Sequence, residues 1–161
     1  MATDGRLQRE LKKKRPFDSP EEEALLNLWR THDRFQIQFA RFFREFGLTS
    51  SQYNVLRILR GEAKRLPCLE IAERLITPVP AITGLIDRLE AMELITRDRS
   101  TDDRRVVFVA ISPKGLDKIK QMDAPLAALH KQLIGHLTRA ELSALSQLLE
   151  KARESTNSNA G

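Results

Sequence analysis

With 161 residues, of which 41% are hydrophobic and 30% charged, the chain has the size and composition of one soluble globular domain. Its net charge of +5, from 27 Lys and Arg against 22 Asp and Glu, favours an anionic partner such as nucleic acid or a membrane surface. The single cysteine, Cys68, excludes an internal disulfide and a cysteine-rich zinc site, and the absence of an apolar leader or of a run of ~20 apolar residues predicts a cytoplasmic protein without membrane contact.

Polar tails flank the predicted folded part, which spans residues 18–154. Residues 1–17 are strongly basic, with three lysines and an arginine at 12–15, and we expect a disordered arm there. The alternative is an arm that lies along a DNA backbone or on a partner subunit. Residues 155–161 are small and polar, which predicts a frayed end.

Five helix starts are marked by capping residues. A Ser or Thr that is followed by a first-turn proline, or by Glu or Gln three residues later, is typical of a helix N-terminus. Such signals stand at Ser19, Thr49, Thr77, Ser112 and Thr138. Combined with apolar residues at helical spacing, they predict helices over 20–46, 50–61, 77–91, 113–136 and 138–155, with a short helix after Pro67.

The hydrophobic period changes from helical to alternating after the fourth of these helices. Residues 94–99 and 105–111 are typical of extended strands, the second with Val109 and Ile111 on one face. The polar, charged stretch 100–104 lies between them. This pattern predicts a β-hairpin with a basic tip.

The last two predicted helices are more apolar than a small domain requires. A narrow seam with 3-4 spacing, typical of helix-on-helix packing, consists of Ile119, Met122, Leu126, Leu129 and Leu133. Pro125 lies within this helix and should kink it. The simplest covering for the seam is a second copy of the chain, and the alternative is that it folds back within one subunit.

Over residues 49–112 the order helix, short helix, helix and hairpin is that of a winged helix-turn-helix. In that motif the helix before the hairpin enters the major groove of DNA. We predict DNA contacts from the outward side of this helix and its start, at Thr77, Pro78, Pro80, Ala81, Thr83, Gly84 and Arg88. Thr83 suits a base edge or a thymine methyl group, and Arg88 suits a phosphate. The alternative is that both are merely solvated helix residues.

The predicted hairpin adds four arginines: Arg97, Arg99, Arg104 and Arg105. Long cationic side chains on a narrow projection match the narrow, negative minor groove. Asp103 beside them would be repelled by DNA unless it orients an arginine, and we predict that role for it. The alternative is a solvated, charged turn without a partner.

Three stretches of the chain resemble the MarR (multiple antibiotic resistance regulator) family of bacterial transcription factors. They read GLTSSQYNVL at 47–56, AITGLIDRLE at 81–90 and DDRRVVFVAIS at 102–112. The last is similar to the family's wing signature, here formed by Asp103, Arg105, Ser112 and Gly115. The likeness extends over residues 20–153.

The resemblance implies a mainly α-helical fold with a small β-hairpin wing, a winged helix-turn-helix over 49–112, and dimerisation helices over 20–46 and 113–154. It further implies a homodimeric repressor on pseudo-palindromic double-stranded DNA, relieved by a small phenolic or aromatic effector. The chain departs from the family at Gly84, where a basic residue is common, and at Pro78 and Pro80, which are unusual there. Its sequence preference should therefore differ from that of typical relatives.

Candidate sensing residues are less well marked. Trp29, His32 and Tyr53 are predicted to converge at the family's ligand pocket, although a lone histidine is more often structural. Cys68, at a helix start, is either a small packed residue or a thiol with a lowered pKa. The histidines are scattered and accompanied by no carboxylate cluster, so that we predict neither a metal site nor a cofactor.

Other function classes fit the sequence less well. It contains no Gly-rich phosphate loop, no His-Glu-x-x-His motif and no nucleophile beside a base, so we predict that the chain is not an enzyme. A winged-helix protein-interaction module without DNA binding is the main alternative, and the hairpin arginines count against it. An RNA-binding winged helix is disfavoured because the sequence lacks an exposed aromatic platform.

Overall fold

The computed structural model describes residues 5–103 and 105–157, so that Arg104 lies outside the described residues. Seven helices and three strands occur in the described part of the chain. They are α1 (Arg6–Glu10), α2 (Pro20–Glu45), α3 (Ser50–Glu62), β1 (Leu66–Pro67), α4 (Cys68–Glu73), α5 (Ile82–Ala91), β2 (Ile95–Arg99), β3 (Val107–Ile111), α6 (Pro113–Ile134) and α7 (Arg139–Asn157). The chain divides into two compact units, Met1–Ile119 and Lys120–Gly161. The mainly α-helical fold class with a small wing is confirmed.

Four of the five predicted helix starts are correct, because each cap makes its hydrogen bonds locally. Ser19 Oγ accepts the backbone N–H of Glu22 at 3.1 Å. Thr49 and Gln52 form a reciprocal capping box with distances of 3.2 and 2.8 Å. Two further caps follow the same logic: Thr138 with Glu141 is a second box, and Ser112 Oγ accepts the N–H of Gly115.

The predicted start at Thr77 is wrong. Helix α5 begins at Ile82, and Ala81 caps it without a side-chain hydrogen bond. The reason is steric: a residue that precedes proline is pushed out of the α region, which applies to Thr77 before Pro78 and to Val79 before Pro80. The segment between α4 and α5 is therefore a loop, and α5 is shorter than the helix over 77–91 that we predicted.

The prediction of a disordered arm over residues 1–17 is wrong for the part that forms helix α1. Leu7 is buried there, and the Glu10 carboxylate lies 3.0 Å from Arg30 Nε and 3.2 Å from an Arg34 nitrogen. Hydrogen bonds from Arg30 and then Arg6 hold the pKa of Glu10 below its usual range. This basic segment is thus tied to α2 by an acidic residue.

Two helices end on a residue in the left-handed region. Gly47, the residue after the predicted helix over 20–46, follows α2 with φ of 70°. At the end of α3 the corresponding residue is Ala63, with φ of 53°, whereas Gly61 lies inside the helix. The predicted end of this helix at Gly61 is therefore one residue early, because α3 ends at Glu62. The last helix is also longer than predicted, because α7 extends to Asn157 and the predicted helix ended at 155.

The core of the first unit lies between α3, α4, α5 and a three-stranded sheet with strand order β1-β3-β2. Both strand pairs are antiparallel, with Leu66 opposite Val109 and Ile95 opposite Ile111. The side chains that are most completely buried in this unit are Val55, Leu56, Leu59, Leu66, Ile71, Ile86, Leu89, Val109 and Ile119. Strand β1 was not predicted, because it is only two residues long and too short to show an alternation of apolar and polar residues.

Gly115 explains how the start of α6 packs against the hairpin. A Cβ at this position would lie well inside van der Waals contact with the Leu94 carbonyl oxygen and 2.9 Å from Ile111 Cγ1. Ser112 closes the same junction, because its Oγ donates to the Glu93 carbonyl at 2.7 Å. Only glycine permits this approach, which accounts for its place in the wing signature.

The second unit contains most of α6 and all of α7. Within it, the seam residues Met122 and Leu126 are buried in a single chain, and Leu129 and Leu133 are half-buried. Part of this seam is therefore covered within one chain, and the expectation that a second copy covers the rest of the apolar surface stays a prediction. No helix in residues 5–103 and 105–157 is both long and apolar enough to cross a membrane.

Candidate nucleic-acid interface

Helix α5 presents a narrow polar face to solvent because its other face is anchored in the core. Leu85, Ile86 and Leu89 are buried, which leaves Thr83 and Arg88 exposed on the outer side. The Ala81 cap makes no side-chain hydrogen bond, so the first-turn N–H groups keep the positive end of the helix dipole open. This helix can approach a polyanion closely without first breaking a capping interaction.

The loop before α5 holds the other residues for which we predicted DNA contacts. Thr77, Pro78 and Pro80 are exposed in it, and Ala81 is the cap. They flank the N-terminus of α5 instead of forming its first turn. Gly84 lies on α5 itself, and a Cβ there would meet nothing within 4 Å.

The tip of the hairpin is organised by short polar side chains. Ser100 Oγ accepts the N–H groups of Asp102 and Asp103, at 3.2 and 3.3 Å. The Asp103 carboxylate accepts the backbone N–H of Arg105 at 3.0 Å. Asp103 therefore holds the turn's backbone at Arg105, and its predicted role of orienting an arginine toward DNA stays a prediction. Arg99 and Arg105 are both exposed on this wing.

Arg97 is engaged within the protein, contrary to the prediction that it reaches DNA. One of its terminal nitrogens lies 2.5 Å from a carboxylate oxygen of Asp87, and the other pairs with Glu90. These bonds, that to Glu90 first, raise the pKa of the guanidinium above its usual range. Because Asp87 and Glu90 lie on α5 and Arg97 lies on β2, the cluster fixes strand β2 to helix α5.

Sequence reasoning missed this Arg97 cluster, although a signal for it was present. Acidic residues three apart share one face of a helix, and Asp87 and Glu90 have that spacing. Two exposed apolar side chains were also missed: Leu69 on α4 and Ile76 in the following loop are each 75% exposed. The sequence contained a signal for both, because neither Leu69 nor Ile76 belongs to the apolar stripe by which α4 packs on the core.

The three predicted sensing residues do not form one pocket in the chain. Tyr53 is buried and stacks on Phe43 with ring centroids 4.8 Å apart. Trp29 is 65% exposed and precedes Phe43 by about 21 Å along α2, at the helical rise of about 1.5 Å per residue. His32, one turn beyond Trp29, is exposed as well. The predicted convergence is therefore wrong.

Cys68 and the histidines give no sign of a redox or metal centre. Cys68 is half-buried, and burial raises the pKa of its thiol, which is the opposite of the lowered pKa that we considered. Among residues 5–103 and 105–157, no three His, Cys, Asp or Glu side chains are grouped so that they could hold a metal ion.

Comparison with known proteins assigns this architecture to a family. The MarR family profile matches residues 48–107, which span α3 to the start of β3. The HTH-type transcriptional repressor MdtR of Bacillus subtilis is 28% identical and is matched over 83% of this chain and 86% of its own length.

Solved structures extend the match over both units. The chain is similar to Bordetella bronchiseptica BpsR, with 25% identity, a TM-score of 0.72 and coverage of 82% of this chain and 99% of that one. A MarR transcription factor from Planctomyces limnophilus is 42% identical, with a TM-score of 0.67 over 83% of this chain and 98% of that one. With this identity over nearly the full length of that protein, the chain belongs to the MarR family of transcriptional regulators.

Proposed function

We propose that the protein represses transcription as a homodimer that binds a pseudo-palindromic duplex and releases it when a small ligand binds. The proposal is supported mainly by the position of α5 beside the hairpin on a common hydrophobic core. The outer face of α5, with Thr83, lies beside a hairpin that exposes Arg99 and Arg105, and Arg97 fixes the two elements to each other. A helix that fits the major groove and a basic hairpin that fits the minor groove can then engage DNA together.

The surface of α5 suits direct reading of bases. Thr83 and Gly84 are small, so the helix backbone can lie deep in a major groove, where a hydroxyl or methyl group reaches a base edge. Arg88 follows more than a turn later, at a position that suits the phosphate backbone. The open N–H groups after Ala81 and the exposed Thr77 add further phosphate donors.

The dimer is supported by an apolar stripe on α2 that passes from the core to the surface. Phe43 and Leu25 lie about five helical turns apart and so share a face of the helix. Phe43 is buried against Tyr53, whereas Leu25 and Trp29 are 52% and 65% exposed. An exposed apolar patch of this kind marks an interaction surface, and a second copy is the partner that an inverted-repeat operator requires. On α7, the exposed Leu145 offers further apolar surface.

Ligand control is supported by a relative. The BpsR structure describes regulation of DNA binding by 6-hydroxynicotinic acid, and that protein is 25% identical to this chain over nearly its whole length. A small, ring-containing effector for the present protein is proposed on that basis.

The test of DNA recognition is selection of duplexes from a random pool by the purified protein. We expect an inverted repeat with half-site centres about one helical turn apart, ~34 Å. The selected duplex should bind at least ~10³-fold more tightly than a scrambled duplex at the same salt concentration. Failure to enrich any sequence would overturn the proposal and favour a protein-interaction module, for which the exposed Leu69 and Ile76 would then be the first surface to test.

The test of the dimer is sedimentation of the Trp29→Asp variant. A carboxylate at the centre of an apolar interface leaves a buried charge unpaired, so we expect a monomer where the unaltered protein is a dimer. Thr31→Asp is the matched control, because it adds the same charge to an exposed position of α2 away from the stripe. If both variants remained dimeric, α2 would not be part of the interface.

A further inference from the structure

The loop that leads into α5 is mainly apolar, exposed and without charge. Although 30% of the chain is charged, residues 75–86 contain no Asp, Glu, Lys or Arg. The side chain of Ile76 is 75% exposed. Three smaller apolar residues of the loop are exposed as well, namely Pro78, Pro80 and Ala81. Residues 76–81 (the 76–81 loop) therefore present apolar surface to solvent immediately before the helix that is proposed to enter the major groove.

The 76–81 loop offers few donors to a phosphate group. Pro78 and Pro80 have no backbone N–H group, so neither can donate a hydrogen bond to a phosphate oxygen. Thr77 supplies the only polar side chain in residues 76–81. Phosphate contacts are therefore left mainly to the first turn of α5 and to the hairpin arginines, and the apolar surface of the loop needs a different partner.

The two prolines also make the loop stiff. Each proline ring fixes its own φ at about −65° and restricts the preceding residue to extended conformations. Val79, which lies between them, is half-buried and so is held against the protein. Because a surface that is ordered before binding loses less conformational entropy when it binds, the 76–81 loop is suited to recognition.

The apolar group that DNA can offer to this loop is the methyl group of thymine. In the helix-turn-helix motif the N-terminal residues of the recognition helix contact base edges, so the residues directly before that helix lie close to the major groove. The major groove presents the C5-methyl group of thymine, which apolar side chains contact. Burial of one methyl group contributes about fourfold to affinity.

We propose that the 76–81 loop recognises thymine methyl groups in the major groove, with Ile76 and Pro80 as the contacting residues. This role rests on the proposed function and adds to it a class of sequence, because each half-site of the operator should contain a thymine whose methyl group contributes to affinity. A duplex selected from a pool of the four ordinary bases carries no other methyl group in its major groove, so thymine is the partner in the selected operator.

Deoxyuridine tests the proposal, because it pairs as thymine does but lacks the C5-methyl group. Each thymine of the selected operator is replaced in turn, at the equivalent positions of both half-sites, and affinity is measured at fixed salt concentration. At least one replacement should weaken binding by about tenfold or more, because two methyl contacts are lost. The proposal would be overturned by half-sites without thymine, or by an operator that binds equally well with deoxyuridine at every position.

Protein variants distinguish the loop from Thr83 and from changes in DNA shape. The Ile76→Ser/Pro80→Ser variant should reduce the effect of deoxyuridine at that position to less than twofold, because the methyl group no longer meets an apolar side chain. The Ile76→Val/Pro80→Ala variant keeps the loop apolar and should retain most of the effect. Leu69→Ser is the matched control: Leu69 has the same exposed fraction of 75% but lies on α4, and its substitution should retain the full effect.

Failure of this role can be told apart from failure of the proposed function. If the selection enriches no sequence, the proposed function fails and the role of the loop fails with it. If an inverted repeat is selected but deoxyuridine weakens the unaltered protein and the Ile76→Ser/Pro80→Ser variant equally, only the role of the loop is overturned. An equal reduction of the effect in Leu69→Ser would also overturn it. Thermal unfolding verifies that each variant is folded, which we expect because the substituted side chains are exposed.

Discussion

The recognition helix and the wing share one core but carry different surfaces. Helix α5 exposes a small polar side chain, Thr83, and a glycine, Gly84, whereas the hairpin exposes Arg99 and Arg105. Phosphate contacts supply affinity that depends on salt and not on sequence, whereas contacts to base edges supply specificity. We therefore expect the hairpin to contribute mainly affinity and α5 to contribute mainly specificity. Arg97 joins the two elements and so belongs to neither role.

The largest effect in this comparison should come from Arg97→Ala. Without the guanidinium, the carboxylates of Asp87 and Glu90 lose their partner beside the proposed DNA surface, and like-charge repulsion should weaken the operator about tenfold, which corresponds to about 1.4 kcal/mol. The measurement is operator binding at fixed salt.

The control for Arg97 neutralises the two acids. Arg97→Ala combined with Asp87→Asn and Glu90→Gln should regain most of the lost affinity. If the triple variant bound as weakly as the single one, Arg97 would contact DNA directly, and its assignment as a positioning residue would be wrong.

A smaller effect is expected for Arg105→Ala on the wing. This variant should bind the operator and a scrambled duplex about fivefold more weakly than the unaltered protein does. The loss of one phosphate contact should also reduce the slope of the logarithm of the binding constant against the logarithm of the salt concentration by about 0.9. Arg139→Ala on α7 is the matched control and should leave both quantities unchanged. A loss confined to the operator would show that this wing residue reads bases.

Thr83→Ala should have the opposite signature. We expect the operator to weaken about threefold while binding to the scrambled duplex and the salt slope stay the same, because only a base contact is lost. Repeating the selection with this variant should relax the preference at one position of each half-site. If the variant bound all duplexes more weakly by the same factor, Thr83 would contact a phosphate and not a base.

The smallest change should follow Gly84→Ala. A methyl group fits there without contact, so alanine should raise the free energy of unfolding by about 0.5–1 kcal/mol through helix propensity and alter operator binding less than twofold. Gly115→Ala makes the same substitution where there is no space and should lower the free energy of unfolding, because the new Cβ would collide with the Leu94 carbonyl. Chemical denaturation measures both. Marked loss of DNA affinity in Gly84→Ala would mean that the duplex backbone approaches this glycine closely.

Local signals predicted much of the fold because their physics is local. The caps at Ser19 and Thr49 act on N–H groups within one turn, and both helices begin where these residues indicate. The failure at Thr77 is local as well: the effect of Pro80 on Val79 is readable in the sequence and outweighs the capping signal.

Residues that depend on distant partners were predicted poorly. Arg97 was assigned to DNA because its partners, Asp87 and Glu90, become neighbours only through the position of β2 beside α5. Trp29 and Tyr53 were grouped by residue type, but the length of α2 separates them. The seam at Met122 was assigned to a second copy although this residue is buried within one chain, because apolar periodicity identifies a face that needs covering without identifying what covers it.

The sequence by itself determined the order of the helices and strands apart from α1 and β1, most of their boundaries, the family and the exposed arginines of the wing. Periodicity, capping and turn chemistry act over a few residues, and each is encoded next to the structure that it produces. Only the tertiary structure decided that Arg97 is held by α5 and that α1 is tied to α2 through Glu10. Those outcomes depend on which distant segments the core brings together, and no local pattern specifies that choice.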